Sequence, residues 1–271
     1  MHKLCHKPYP AQLLPVTIGA FHCAKEISVM RIPRIYQPGV IPLQQDFALT
    51  EDGANHIGRV LRMQAGDEVC LFNGDGQNYQ AVITSVEKKQ LLVKAISATD
   101  NPVESPLKLH LGQGISRGDR MDFVIQKAVE LGVTEITPLF TERCGVKLDA
   151  ERLAKRTEQW QKIAIAACEQ SGRSLVPVVH TALQLNKWLA QETKDLKLTL
   201  DPWTSDSIKT IAASQTIRLV IGPEGGFTDA EVTQTKDAGF LAVRLGPRVL
   251  RTETAALTAI SALQLQFGDL A

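Results

Sequence analysis

Two short apolar runs in the last third of the chain stop on glycine and hand over to a helix. Leu219-Val220-Ile221 runs into Gly222-Pro223-Glu224-Gly225-Gly226-Phe227, and Leu241-Ala242-Val243-Arg244-Leu245 runs into Gly246-Pro247-Arg248-Val249-Leu250-Arg251-Thr252-Glu253-Thr254. Buried strands that end on such loops belong to α/β sheets. Ligands of these sheets bind at the strand ends, where loops present backbone donors and acceptors. Glycine lets that backbone approach a ligand closely. Two such loops, one strand apart, predict one pocket with two walls.

The rest of the second half fits this frame. From residue 107 strands alternate with helices. Leu107–Leu111, Ile136–Phe140, Leu196–Leu200 and Ile217–Ile221 read as strands, while Met121–Leu131 and Glu151–Gln170 carry helical stripes. Gly132 and Gly172 are natural helix stops. Thr228-Asp229-Ala230-Glu231 is a capping box that starts a helix just after the glycine loop. A last helix runs from Thr254 to Phe267 with Leu257, Ile260 and Leu263 inward. The order implies a mostly parallel sheet covered by helices.

Residues 30–100 differ. Glu68–Phe72, Tyr79–Val86 and Leu91–Ile96 are short, β-branched and partly alternating, with Asn73-Gly74-Asp75-Gly76 as a turn, and they suggest a small barrel. Asn101–Pro106, with two prolines, reads as a linker. The 271 residues suffice for two domains. A formal net charge of +1 excludes a polycation, so nucleic acid would need a local basic patch. The five cysteines are scattered and odd in number, without a Cys-x-x-Cys pair. They point to a reducing, cytoplasmic compartment and away from a disulfide framework. The six histidines show no metal-ligand spacing along the chain. No apolar run approaches the roughly 20 residues that span a bilayer. Residues 1–29 loosely resemble a signal peptide, but Pro10, Pro15 and His22 interrupt it. They read as a non-native or disordered extension, with the start at Met30.

Several groups of residues have two readings each. The 222–226 loop matches neither the P-loop nor the dinucleotide fingerprint, and Glu224 within it suits a cationic or neutral ligand better than a polyphosphate. Glu253 and Thr254 are caps or site residues, and Arg251 a partner of Glu253 or Glu224 or a ligand contact. Arg117 and Arg120 contact phosphate or sit at a solvated helix start. Glu169-Gln170-Ser171-Gly172-Arg173 is a helix exit or an RNA contact. Arg31, Arg34, Arg59 and Arg62, with Tyr36 and His56 nearby, form a solvated surface or a face for single-stranded RNA.

Five segments together resemble one family. They are Met30–Tyr36, Gln126–Val133, Ala167–Arg173, Ile221–Gly226 and Leu245–Thr254, and they occur in the expected order. Over residues 30–271 the chain resembles the bacterial ribosomal RNA small-subunit methyltransferase E family, of the SPOUT class. The resemblance implies an N-terminal PUA-like barrel over 30–100 and an α/β methyltransferase domain with a deep trefoil knot over 107–271. It also implies a homodimer, S-adenosylmethionine as cofactor, and methylation of uridine N3 in 16S ribosomal RNA, in the small ribosomal subunit, without a metal. The family's cofactor loops fall on Gly222, Pro223, Glu224, Gly225, Gly226, Leu245, Gly246, Leu250, Arg251 and Glu253. Arg251 is the first candidate to stabilise charge on the uridine, with Glu253 and Glu169 as candidate proton acceptors. Arg31, Arg34, Arg59, Arg62, Arg117, Arg120 and Arg173 are the expected RNA contacts. The extension at 1–29 departs from the family. A non-catalytic RNA-binding assembly factor that keeps the fold is the alternative, as is a nucleotide-phosphate-binding enzyme.

Overall fold

The structure is a computed structural model that describes residues 32–87, 90–146 and 149–270. The expectations placed on residues 1–29, Met30 and Arg31 lie outside the described residues.

The first part comprises β1 (Arg34–Tyr36), β2 (Asp46–Ala48), α1 (Glu51–Asn55), β3 (Glu68–Phe72), β4 (Gln77–Val86) and β5 (Leu91–Asp100). The strands form one sheet in the order β1-β3-β4-β5-β2, with β1 parallel to β3 and the other pairs antiparallel. Alternation decides which side chains turn inward. Tyr79, Ala81 and Ile83 are buried while Gln80 and Thr84 are exposed. Val69, Leu71, Ile83 and Val93 meet Ile35 and Ile57 in a small core. The Asn73–Gly76 turn joins β3 to β4, and both its glycines take positive φ, 97° and 89°.

The second part comprises β6 (Lys108–Gly114), α2 (Asp119–Glu130), β7 (Glu135–Phe140), α3 (Ala150–Ser171), β8 (Val178–Val179), β9 (Leu183–Gln184), α4 (Leu185–Leu189), β10 (Leu196–Leu200), β11 (Thr216–Ile221), α5 (Asp229–Asp237), β12 (Leu241–Val243) and α6 (Thr252–Phe267). Its sheet runs β12-β10-β11-β6-β7-β8, with β9 also on β7, and every pairing is parallel. One face buries Leu109, Leu111 and Leu219 against α2, α3 and α6. The other packs Leu139 and Val220 against Trp188 and Leu189 of α4, and Phe240. Both faces are covered, which is why the strands read as continuous apolar runs. The capping box at Thr228 and Glu231 and the left-handed stop at Gly172 are both present. No helix among the described residues is long and apolar enough to cross a membrane.

Two expectations need correction. The last helix starts at Thr252, two residues early, with Arg251 as its N-cap. Residues 101–106 lack regular structure but are not a free linker. Asn101 Nδ2 donates to Gly172 O and Ser174 Oγ at 2.8 and 2.9 Å, and buried Ser105 donates to Gln264 Oε1 at 2.7 Å. The prolines explain the irregular backbone, but composition does not show which polar side chains turn inward.

Two arginines expected on an RNA surface are instead used inside the fold. Arg173 is 4% exposed. Its guanidinium pairs with Glu104 at 2.7 Å and donates to the carbonyls of Val129 and Val133, both at 2.8 Å. Arg34 donates to Asn78 Oδ1 and Ser174 Oγ, each at 2.9 Å, and lies 5.2 Å over the Phe72 ring. It ties the first sheet to the chain just after α3.

Candidate active site

The C-terminal ends of β10, β11 and β12 open onto one cavity of about 650 Å³. All ten residues expected in the two glycine loops line it, so the sequence-predicted walls do meet. The third wall, Thr199–Trp203 after β10, was missed. Its signal was faint: a strand ending in Asp-Pro-Trp, whose Trp203 is 84% exposed.

The loop after β11 is held from three sides. Beneath it, β6 ends at Gly114, where an added Cβ would lie 2.5 Å from Pro223 N and 2.8 Å from Gly222 C. Only glycine lets the loop seat there. At its outer side, Arg143 Nη1 donates to Gly225 O and Phe227 O at 3.0 and 3.2 Å. A Cβ on Gly225 would meet Arg143 Cβ at 2.9 Å, so this glycine accommodates the arginine. At its tip, Glu224 Oε1 accepts from Arg117 N at 2.8 Å and Arg120 Nη1 at 2.9 Å. Burial pushes the Glu224 carboxyl up, but the hydrogen bonds from the Arg117 and Glu224 backbones and from Arg120 outweigh it and hold it below the usual range. Glu224 therefore fixes the loop after β6 to the glycine loop, a role the sequence did not suggest.

The two glycine loops are also joined to each other. Thr252 Oγ1 donates to Gly222 O at 2.6 Å and accepts from Gln113 Nε2 at 3.0 Å. Arg251 is exposed at the cavity edge, with no side-chain hydrogen bond at its cap position. Glu253 lines the cavity from the first turn of α6, and its Oε2 is buried without a hydrogen-bond partner. A buried unpaired acceptor is costly unless something donates to it.

Other candidates fall elsewhere. Arg120 lines the cavity, and exposed Arg117 adjoins it through Glu224. Arg143, Arg244 and Arg248 line it as well, although the sequence reading omitted them. Arg59 and Arg62 are exposed beyond α1. Glu169 does not reach the cavity. Its Oε1 accepts from Tyr36 N at 2.9 Å, and burial pushes its carboxyl above the usual range against the Tyr36 hydrogen bond and the charges of His56 and Arg34. The reason is that α3 packs its last turns on β1, so that this carboxylate caps a strand edge.

The seating of the loop on Gly114 leads to a prediction. Gly114→Ala is expected to destabilise the protein by about 1–3 kcal/mol, the usual cost of overpacking, and to weaken binding in the cavity at least tenfold, because backbone must move. Thermal unfolding and cofactor titration check it, and wild-type values in both would show that the loop seats independently of β6.

Residues 103–264 match the model of an RNA methyltransferase domain, and residues 49–96 that of an RNA methyltransferase PUA domain. Ribosomal RNA small subunit methyltransferase E of Buchnera aphidicola subsp. Acyrthosiphon pisum is 36% identical over 241 residues, covering 88% of this chain and 95% of its own. The chain belongs to this family. Two solved structures agree in fold. The family member from Neisseria gonorrhoeae, bound to S-adenosylmethionine, is 41% identical with a TM-score of 0.84, covering 89% of this chain and all of its own. A Legionella pneumophila protein in complex with the bound cofactor SAM is 48% identical with a TM-score of 0.86 over the same shares.

Proposed function

We propose that the chain transfers a methyl group from S-adenosylmethionine to N3 of a uridine in 16S ribosomal RNA, within the small ribosomal subunit in the cytoplasm. The observation that carries this reading is the cavity at the three strand ends, walled by the two glycine loops, with Glu253 unpaired inside it and Arg251 at its edge. Its volume falls within the roughly 300–1,000 Å³ of small-molecule sites. Glycines leave room on two walls, and the unpaired Glu253 oxygen calls for a donor, so the residues suit a cationic, amino-bearing cofactor. When bound, this cofactor supplies a methyl group already activated by its sulfonium.

What remains for the protein is the nucleophile. Uridine N3 holds a proton whose pKa lies above neutrality, and it attacks poorly until that proton leaves. In this reading Glu253 accepts it, directly or through water. Arg251 stabilises the negative charge that then develops on the uridine oxygens. The loops hold the reactants in register, which lowers the entropy loss at the moment of reaction. The homodimer and the trefoil knot implied by the resemblance belong to the same reading.

The RNA face is assigned to exposed arginines only. Arg59 and Arg62 on the first sheet's side and Arg117 and Arg120 beside the cavity remain candidates, whereas Arg34 and Arg173 are withdrawn. Replacing Arg59 and Arg62 together by alanine is expected to flatten the salt dependence of RNA binding by about 1.4 in log–log slope, about 0.7 for each single-strand phosphate contact. Cofactor affinity stays as it was. An unchanged slope would return both residues to the solvated surface.

The activity itself is tested by incubating the purified chain with S-adenosylmethionine and undermethylated small subunits, then digesting the RNA to nucleosides for mass spectrometry. 3-Methyluridine is the expected product. Methylation of another atom would overturn the N3 assignment. Cofactor binding without any RNA product would favour the assembly-factor reading.

A further inference from the structure

Spacing along the chain gives no metal-ligand pattern, but the sheet brings three ligand types to one place. His110 on β6 and Glu135 on β7 are register partners, so their side chains share a face. His180 directly follows β8, and its backbone N–H donates to Ile136 O at 2.8 Å. His180 Nε2 then lies 2.8 Å from Glu135 Oε2, and His110 Nδ1 lies 3.8 Å from the same oxygen. One ligand atom from each of the three falls within 4.8 Å of the others.

We propose that His110, Glu135 and His180 form a divalent transition-metal site, suited to zinc, that fastens the edge segment after β8 to β6 and β7. Two imidazoles and a carboxylate are a zinc ligand set, and tetrahedral bonds of about 2.0–2.1 Å place ligand atoms about 3.3–3.5 Å apart. The observed separations of 2.8 and 3.8 Å bracket that spacing. A hydrogen bond accounts for the His180 contact but not for His110 Nδ1, which is beyond hydrogen-bond reach of the carboxylate.

The surroundings orient the nearest ligand. The other ring nitrogen of His110, Nε2, is 2.8 Å from Thr137 Oγ1, leaving Nδ1 for an ion. Such a hydrogen bond behind a ligating histidine sets its tautomer and ring orientation. The His110 ring also stands edge-on to Trp188, 5.5 Å between centroids. A nearby cation, Arg218, is the register partner of His110 on β11; its guanidinium bonds to Gln191 and stacks 4.0 Å over Trp188. Glu135 and His180 are 47% and 40% exposed in their side chains, so an ion can enter and water can complete its coordination. The site lies near the strand starts, at the end of the sheet away from the cavity. It does not depend on the methyl-transfer reading.

The test uses the full chain, stripped with a chelator and titrated with cobalt(II), then with zinc in competition with a chromophoric chelator. Cys5 and Cys23 are first replaced by serine, because thiols near His6 and His22 could take the metal themselves. One equivalent with the visible bands of tetrahedral cobalt is expected, together with a metal-dependent rise in Tm. His110→Gln and His180→Gln should abolish both, and Thr137→Val should weaken binding by about 10–100-fold, as outer partners do. If H110Q fails to fold, the exposed H180Q carries the test. Absence of uptake at micromolar metal, or cobalt bands that persist in H180Q, would overturn the proposal.

Discussion

Replacing Arg251 by alanine is expected to slow methyl transfer by about 10²–10³-fold at saturating RNA and cofactor, the scale of losing one donor that acts in the transition state. Arg251 is exposed at the cavity edge, and as the N-cap of α6 it makes no side-chain capping bond. Removing it therefore leaves the fold intact, and the melting temperature should barely move. The backbone of α6 is set by Thr252, whose hydroxyl bonds Gly222 O, not by the Arg251 side chain. An arginine stays protonated and cannot serve as a base, so its contribution is charge stabilisation or phosphate anchoring. Lysine should rescue only part of the rate, because it lacks the planar two-pronged donor geometry. Cofactor affinity should change far less than the rate. Single-turnover kinetics decide the matter. A near-normal rate would show that Arg251 is not the transition-state donor and would pass the role to Arg120, Arg143, Arg244 or Arg248 at the same cavity.

The sequence made the cavity legible because its signal is local. A short apolar run of three to five residues that stops on glycine, with a helix start soon after it, favours a strand end, and both loops do line the site. The capping box at Thr228 and the glycine stop at Gly172 were readable for the same reason, since a few neighbouring residues decide them. What depended on strand order was not readable. That β10 lies between β11 and β12 cannot be told from spacing, so the wall at Thr199–Trp203 went unseen. His110, Glu135 and His180 are 25 and 45 residues apart in steps, and only parallel pairing juxtaposes them. Charged residues were the least legible. Arg59 and Arg173 look alike in sequence, yet one is exposed and the other buried, because only the second has Glu104 and two carbonyls waiting for it. The short elements β8, β9 and α4 gave no periodic signal because two to five residues hold less than two turns or two alternations.

Arg173→Ala is expected to cost about 3–5 kcal/mol, the usual result of breaking a buried ion pair from one side. For a chain of this size that is a fall in Tm of roughly 6–20 °C. The cost has two sources. Glu104, 15% exposed in its side chain, would lose the guanidinium that pairs with it at 2.7 Å. The carbonyl of Val133, just beyond α2, would lose its donor, and a buried unsatisfied group costs about 1–3 kcal/mol; the Val129 carbonyl loses one donor but keeps the Gly132 N–H at 3.0 Å. Arg173→Lys should fall short as well, since one ammonium cannot reach Glu104 and both carbonyls in the geometry of the planar fork. Removing both charges with Arg173→Met and Glu104→Leu should recover part of the loss, the ion-pair part, and leave the carbonyl part. RNA binding measured well below the melting temperature should keep its salt slope in Arg173→Lys. The opposite pattern, a wild-type Tm for Arg173→Ala with a flattened salt slope, would restore Arg173 to the RNA face and show that the 170–175 segment opens to present it.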